Sequence, residues 1–275
     1  MQLPAKYSTG CKSIDELLGG GFESGTVTQL YGEAGSGKTN ICLQVAVECA
    51  RKGKKIIFID SEGFSPERFL QIASAKPLQG LRVSPSGACG GTGRARDGAE
   101  PHSTGATVSA TSASGDSEDV ESMARRIIIY EPHSFEQQTS CINEIEKVIK
   151  EKEGESGVVL VILDSATLFY RLELDDERSI YLRRVLANQI MHLLEIARRY
   201  DLAVIITNQV YMDIENGNLR PSGGYALEHL SKVIVQLEKT AEGHGKRRAT
   251  LKKHRSMPED TSCEFFITDK GVEDT

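Results

Sequence analysis

Apolar residues recur along the chain in two rhythms. Four short runs rich in Ile and Val are "KIIFID" (Lys55–Asp60), "RIIIY" (Arg126–Tyr130), "VVLVILD" (Val158–Asp164) and "LAVIITN" (Leu202–Asn208). They are too short for buried helices and apolar at consecutive positions, which predicts strands covered on both faces. Between them the apolar positions fall at helical spacing over Lys38–Arg51, Pro66–Lys76, Phe135–Lys152 and Arg178–Tyr200. Pro66 suits a first helical turn and Ser65 before it can cap the helix. Strands alternating with helices predict an α/β fold, a mainly parallel central sheet with helices on both faces. After Gly224 the rhythm changes to the short strands "KVIVQLEK", "RRATLKK" and "CEFFITD", the first two joined by the glycine-rich "AEGHGK". These predict a carboxyl-terminal antiparallel hairpin and meander that completes the sheet.

One segment has neither rhythm. From Gly80 to Glu118, 25 of 39 residues are Gly, Ser, Ala or Thr, with no Ile, Phe, Tyr or Trp. Such a stretch cannot bury enough apolar surface to offset the entropy of ordering it. It reads as a disordered insertion over residues 78–118 in a single core made of residues 1–77 and 119–275. Its "GGTGRARDG" has phosphate-loop-like glycines but no strand before and no helix after, so it reads as linker.

Composition narrows the class. The 275 residues are 39% hydrophobic, enough for a sizeable core, and the formal net charge is -6, which leaves room for a local basic surface that binds nucleic acid. The amino end lacks a basic segment followed by an apolar run, and no stretch approaches the ~20 apolar residues of a membrane span. A soluble, cytoplasmic protein is expected. Six cysteines show no Cys-x-x-Cys spacing, and Cys42 and Cys49 fall on a predicted helix as core thiols.

The chemistry begins at Gly32–Thr39, "GEAGSGKT", which fills every fixed position of G-x-x-x-x-G-K-[ST] between the strand candidate "TVTQLY" and the helix "NICLQVAVECAR". The backbone N–H groups of Gly32, Glu33, Ala34, Gly35, Ser36 and Gly37 can curl round a phosphate at a helix N-terminus. Lys38 reaches the β- and γ-phosphates, Thr39 binds Mg²⁺, and Asn40 follows at the rim. Asp164, ending an apolar strand, is the second metal anchor. "FIDSEG" offers two carboxylates, Asp60 and Glu62, to orient an attacking water, and spacing does not choose between them.

"STGCKSIDELLGGGFESGTVTQLYGEAGSGKTN", "FIDSEGFSPERF", "VILDSATLFYR" and "IITNQV" together resemble the RecA/RadA recombinase superfamily, and most closely its short archaeal members. The resemblance spans nearly everything outside the insertion and implies a RecA-like P-loop NTPase core that uses ATP and Mg²⁺. By that likeness Lys38 and Thr39 are the Walker A lysine and hydroxyl and Asp164 the Walker B aspartate. Glu62 is the catalytic glutamate, Gln209 senses the γ-phosphate, and Arg68 stacks on adenine. It also implies DNA repair and homologous recombination beside RadA recombinase and a Holliday junction resolvase, at the nucleoid, with weak ATPase and no strand exchange.

Two departures qualify this. Six residues precede "YSTG", so an amino-terminal helix-hairpin-helix domain and a Phe-x-x-Ala polymerisation motif are not expected, and a homo-oligomer would need another route. The segments in place of the two DNA-binding loops, Tyr170–Glu177 and Val210–Ser222, are rich in carboxylates and hold only Arg171 and Arg220 as cations. Attention moves to the basic cluster Lys246, Arg247, Arg248, Lys252, Lys253, His254 and Arg255. It reads as a patch for single-stranded or branched DNA, as a finger in which Lys253 and Arg255 on one strand face reach a neighbouring subunit's γ-phosphate, or as a charged edge strand guarded against aggregation. A KaiC-like ring-forming signalling ATPase without DNA, and a small-molecule kinase, are the competing functions.

Overall fold

The computed structural model describes residues 3–75, 114–151, 157–175, 177–212, 219–241 and 243–275. In chain order the elements are β1 (Lys6–Tyr7), α1 (Lys12–Leu17), β2 (Phe22–Glu23), β3 (Val27–Gly32), α2 (Lys38–Arg51), β4 (Lys55–Asp60), α3 (Pro66–Ser74) and α4 (Ser114–Ala124). They continue with β5 (Ile127–Tyr130), α5 (Phe135–Glu151), β6 (Val158–Asp164), α6 (Leu168–Leu172), α7 (Ser179–Tyr200), β7 (Ala203–Met212) and β8 (Leu219–Pro221). The last are α8 (Tyr225–Leu230), β9 (Val233–Lys239), β10 (Lys246–Lys253), β11 (Ser262–Thr268) and β12 (Gly271–Asp274).

Ten strands form one sheet in the order β12-β11-β10-β9-β3-β7-β6-β4-β5, with β8 paired to β7, and β1 and β2 pair antiparallel in a separate two-stranded sheet. From β9 to β5 neighbours run parallel, and β9, β10, β11 and β12 run antiparallel to one another. The predicted α/β fold with a terminal meander is therefore what the chain forms. Alternation along the central strands divides the core between two faces. Ile56 and Phe58 pack with α1, α2 and α3, while Ile57 and Ile59 pack with α5 and α7. Burying one such side chain contributes about 1.5–3 kcal/mol, so strands apolar on both faces make a rigid platform for whatever sits at their ends.

Helix boundaries follow local chemistry. Ser65 accepts a hydrogen bond from the Arg68 N–H at 3.2 Å, with Pro66 in the first turn, as the sequence predicts. The Arg51 guanidinium donates to the Ile72 and Ala73 carbonyls (3.0 and 3.1 Å), satisfying the far end of α3, and pairs with the nearly buried Glu48. Cys42 and Cys49 are buried core thiols.

The segment read as an insertion lies outside the described residues up to 113. Residues 114–118 are the first five of α4. Val120 and Met123, three apart, pack on the α2 side of the sheet and anchor this helix.

Candidate functional site

Parallel register brings the carboxyl ends of the central strands level: Gly32 pairs with Gln209 and with Leu237, and Asp60 pairs with Asp164. In open α/β sheets this edge is where ligands bind. The phosphate loop runs from Gly32, the last residue of β3, to Lys38, the first of α2. A Cβ at Gly32 would lie 2.2 Å from the Leu237 carbonyl oxygen, so only glycine lets β3 and β9 close at this point. Gly35 (φ 72°) and Gly37 (φ 109°) adopt left-handed backbone, which bends the loop back on itself.

Inside the loop, Lys38 is 6% exposed and donates from Nζ to the Gly32 and Glu33 carbonyls, both at 2.9 Å. Burial pulls its pKa down, while Glu62 and Asp164 hold it up. Ser36 Oγ is buried without a hydrogen-bond partner among the described residues.

Asp164 is fully buried at the end of β6. Its Oδ1 accepts from the Thr207 hydroxyl of β7, and its Oδ2 has no partner among the described residues. Burial drives its pKa up to about 6; the Thr207 and Thr39 hydroxyls act against burial, and Glu62 and Asp60 add to it. A buried carboxylate with one unsatisfied oxygen, beside a hydroxyl and facing a lysine, suits a hard divalent cation with oxygen ligands.

The two carboxylates of "FIDSEG" take different places. Asp60 is 4% exposed and binds the turn that follows it, accepting from the Gly63 N–H at 3.0 Å and the Glu62 N–H at 3.4 Å. Glu62 projects to solvent and accepts from Gln209 Nε2 at 2.8 Å. Gln209 Oε1 in turn accepts from the Arg171 guanidinium of α6. Glu62, Gln209 and Arg171 thus form one hydrogen-bonded chain from the strand ends to the segment at Tyr170–Glu177.

Arg68 lies at the rim, donating from Nε to Asn40 Oδ1 (2.7 Å) and from Nη1 to the Asp269 carbonyl (3.3 Å) in the β11–β12 turn. Gln44 of α2 accepts from the Val272 N–H at 3.1 Å. The terminal meander is therefore fastened to the phosphate-loop side of the core.

The basic cluster is not one surface. Lys246 and Arg248 both pair with Glu264 of β11 (2.7 and 3.0 Å), and Lys252 pairs with Asp260 (2.7 Å). Lys253 donates to the Glu228 carbonyl at 2.7 Å, and His254 Nδ1 accepts from the Ser256 and Met257 N–H groups. Arg255 reaches Glu23 at 3.4 Å. The expectation that Lys253 and Arg255 share a strand face is corrected: β10 ends at Lys253 after a register shift between Leu251 and Lys253, and alternation stops there. Arg247 departs furthest, donating from Nε to the Gly35 carbonyl of the phosphate loop at 3.0 Å.

Sequence reasoning missed Thr207 and Lys239. Thr207 had a readable signal, a polar residue directly after the apolar run Ala203–Ile206 and two positions before Gln209. Lys239 had none, since its nearness to Gly35 comes from the pairing of β9 with β3.

The donor set fits ATP and Mg²⁺: the unpartnered Ser36 Oγ and Asp164 Oδ2 and the glycine-shaped loop converge on one crevice. Sheet order, phosphate loop and buried strand-end aspartate together define a RecA-type P-loop NTPase core. The chain belongs to the Rad51 family, whose family model matches residues 4–85 and 113–275, and within it to the archaeal RadB group. It is 50% identical over 265 residues to the DNA repair and recombination protein RadB of Methanococcoides burtonii, covering 96% of each chain. With the RadB of Archaeoglobus fulgidus it shares 41% identity over 266 residues, again 96% of each. A crystal structure of the RadB recombinase superposes with a TM-score of 0.70 at 32% identity, covering 98% of this chain and 99% of that one.

Proposed function

We propose that this protein is an ATP-binding accessory of recombinational DNA repair that binds DNA, assists RadA recombinase and junction processing, turns ATP over slowly and does not exchange strands itself. The observation that carries the coupling of nucleotide to DNA is the chain Glu62–Gln209–Arg171, which joins the strand-end carboxylate to a surface arginine. Lys38 holds the phosphate tail, Thr39 and Asp164 hold Mg²⁺, which when bound neutralises phosphate charge, and Glu62 accepts a hydrogen bond from the attacking water. Arg68 packs on the base from the rim. Lys246 and Arg248 on one face of β10, and Arg171 on α6, offer phosphate contacts to single-stranded or branched DNA. Such contacts make affinity fall as salt rises.

Thermal melting and DNA binding test this together. Mg²⁺·ATP raises the melting temperature of the parent by mass action and leaves Lys38→Ala unmoved. Fluorescence anisotropy with branched DNA shows binding at low salt that weakens steeply with added salt. A parent that binds no DNA at low salt, or binds it with no salt dependence, refutes the DNA-binding reading.

A further inference from the structure

The β9–β10 hairpin places two cations against the phosphate loop. Lys239 and Arg247 are Cα partners in the antiparallel ladder, so their side chains share a face and lie directly opposite one another. Arg247 is fixed by two bonds, Nε to the Gly35 carbonyl (3.0 Å) and Nη1 to the Lys246 carbonyl (2.8 Å). The Lys239 ammonium lies 3.4 Å from where a Cβ on Gly35 would stand. Like charges directly opposite on a ladder are destabilising unless something neutralises them. Lys246, Arg248, Lys252 and Arg255 have carboxylate partners, and the Lys253 ammonium is held by the Glu228 carbonyl. Among the described residues Lys239 and Arg247 have no carboxylate within ion-pair distance, and the Lys239 ammonium has no hydrogen-bond partner.

We propose that Lys239 and Arg247 are a phosphate-binding pair acting within the same subunit. Lys38 grips the triphosphate from the helix side of the loop and Lys239 grips its terminal phosphate from the hairpin side. Arg247 holds the Gly35 carbonyl and with it the loop's curvature. The pair's uncompensated charge is what an added anion neutralises, and a triphosphate neutralises it better than a diphosphate. Lys239 is therefore a specificity residue for ATP over ADP, and Arg247 a positioning residue for both. This rests on the phosphate loop holding a nucleoside triphosphate. Lys239 also acts on Lys38, pushing its pKa further down.

The test is calorimetric titration of a non-hydrolysable ATP analogue and of ADP, each with Mg²⁺, into the parent, Lys239→Ala, Lys239→Arg, Arg247→Ala and Lys38→Ala. Losing one charge-assisted hydrogen bond corresponds to a weakening on the order of tenfold. Lys239→Ala is expected to lose about that factor for the ATP analogue and little for ADP, and Lys239→Arg to restore it. Arg247→Ala weakens both nucleotides together. Without nucleotide, Lys239→Ala melts at or above the parent, since removing one of two facing cations relieves repulsion; a merely structural lysine would lower it. An unchanged ATP-to-ADP ratio in Lys239→Ala, or a nucleotide-free protein that melts lower, overturns the proposal. If Lys38→Ala binds both nucleotides like the parent, the phosphate-loop reading itself fails, whatever Lys239→Ala does.

Discussion

Asp164→Asn separates the electrostatic cost of the proposed metal anchor from its benefit. The parent carboxyl is fully buried and titrates near 6 in the fold against the ordinary 3.8. Between those values the folded protein holds a proton that the unfolded chain has released. Stability therefore falls as pH rises through that window and levels off above it. At about 1.36 kcal/mol per tenfold step the loss is about 3 kcal/mol. Asparagine removes the ionisation, and its Oδ1 still accepts from Thr207. Its amide nitrogen takes the place of the unpartnered Oδ2, at a cost of about 1–3 kcal/mol. At neutral pH the two effects nearly cancel or leave the variant up to about 2 kcal/mol more stable. The stability difference, variant minus parent, should climb by about 3 kcal/mol between about pH 3 and about pH 7 and stay flat above. Urea unfolding across that range measures it. In the same variant Mg²⁺·ATP should no longer raise the melting temperature. A difference independent of pH refutes the raised pKa, and retained Mg²⁺·ATP stabilisation refutes the metal role.

Other substitutions probe separate links. Glu62→Gln should bind ATP within a few-fold of the parent and hydrolyse it roughly a hundredfold more slowly, the usual share of a general base; an unchanged rate in a phosphate-release assay moves that role elsewhere. Arg51→Ala strands Glu48 and the last carbonyls of α3, and chemical denaturation should show a loss of roughly 3 kcal/mol. Glu264→Gln removes the carboxylate that Lys246 and Arg248 share; because these pairs are exposed it should cost little stability while tightening DNA binding at low salt and steepening its salt dependence. DNA affinity that does not change in that variant removes the β10 face from the interface.

The legible parts of this protein were those whose signal is local. Ile- and Val-rich runs bounded by helical periods specify parallel strands because burial on both faces permits no polar alternation. "GEAGSGKT" specifies a phosphate loop because its glycines and lysine are contiguous. The stretch at 114–118 carries no helical signal of its own, because its composition is polar and small and the apolar anchors of α4 at Val120 and Met123 lie just beyond it. The two carboxylates of "FIDSEG" stood level on spacing, and resemblance alone chose Glu62. In the structure a backbone turn takes Asp60, and Gln209 meets Glu62 across the sheet edge.

The basic cluster marks the limit most clearly. As a string, "GKRRATLKKHRS" is one positive stretch, and sequence fixes only its charge and its strand propensity. Where each cation goes depends on which strand pairs beside β10, on a register shift after Leu251, and on acceptors elsewhere in the chain: the carboxylates of Glu23 and Glu264 and the backbone carbonyl of Glu228. By itself the sequence determined the α/β core, the phosphate loop, Asp164 and the terminal meander, because nearest-neighbour chemistry and periodicity suffice for these. Tertiary structure alone decided that Lys246 and Arg248 share one glutamate, that Arg255 leaves the strand, and that Arg247 and Lys239 face the phosphate loop, because electrostatic partnership is set by distance in space.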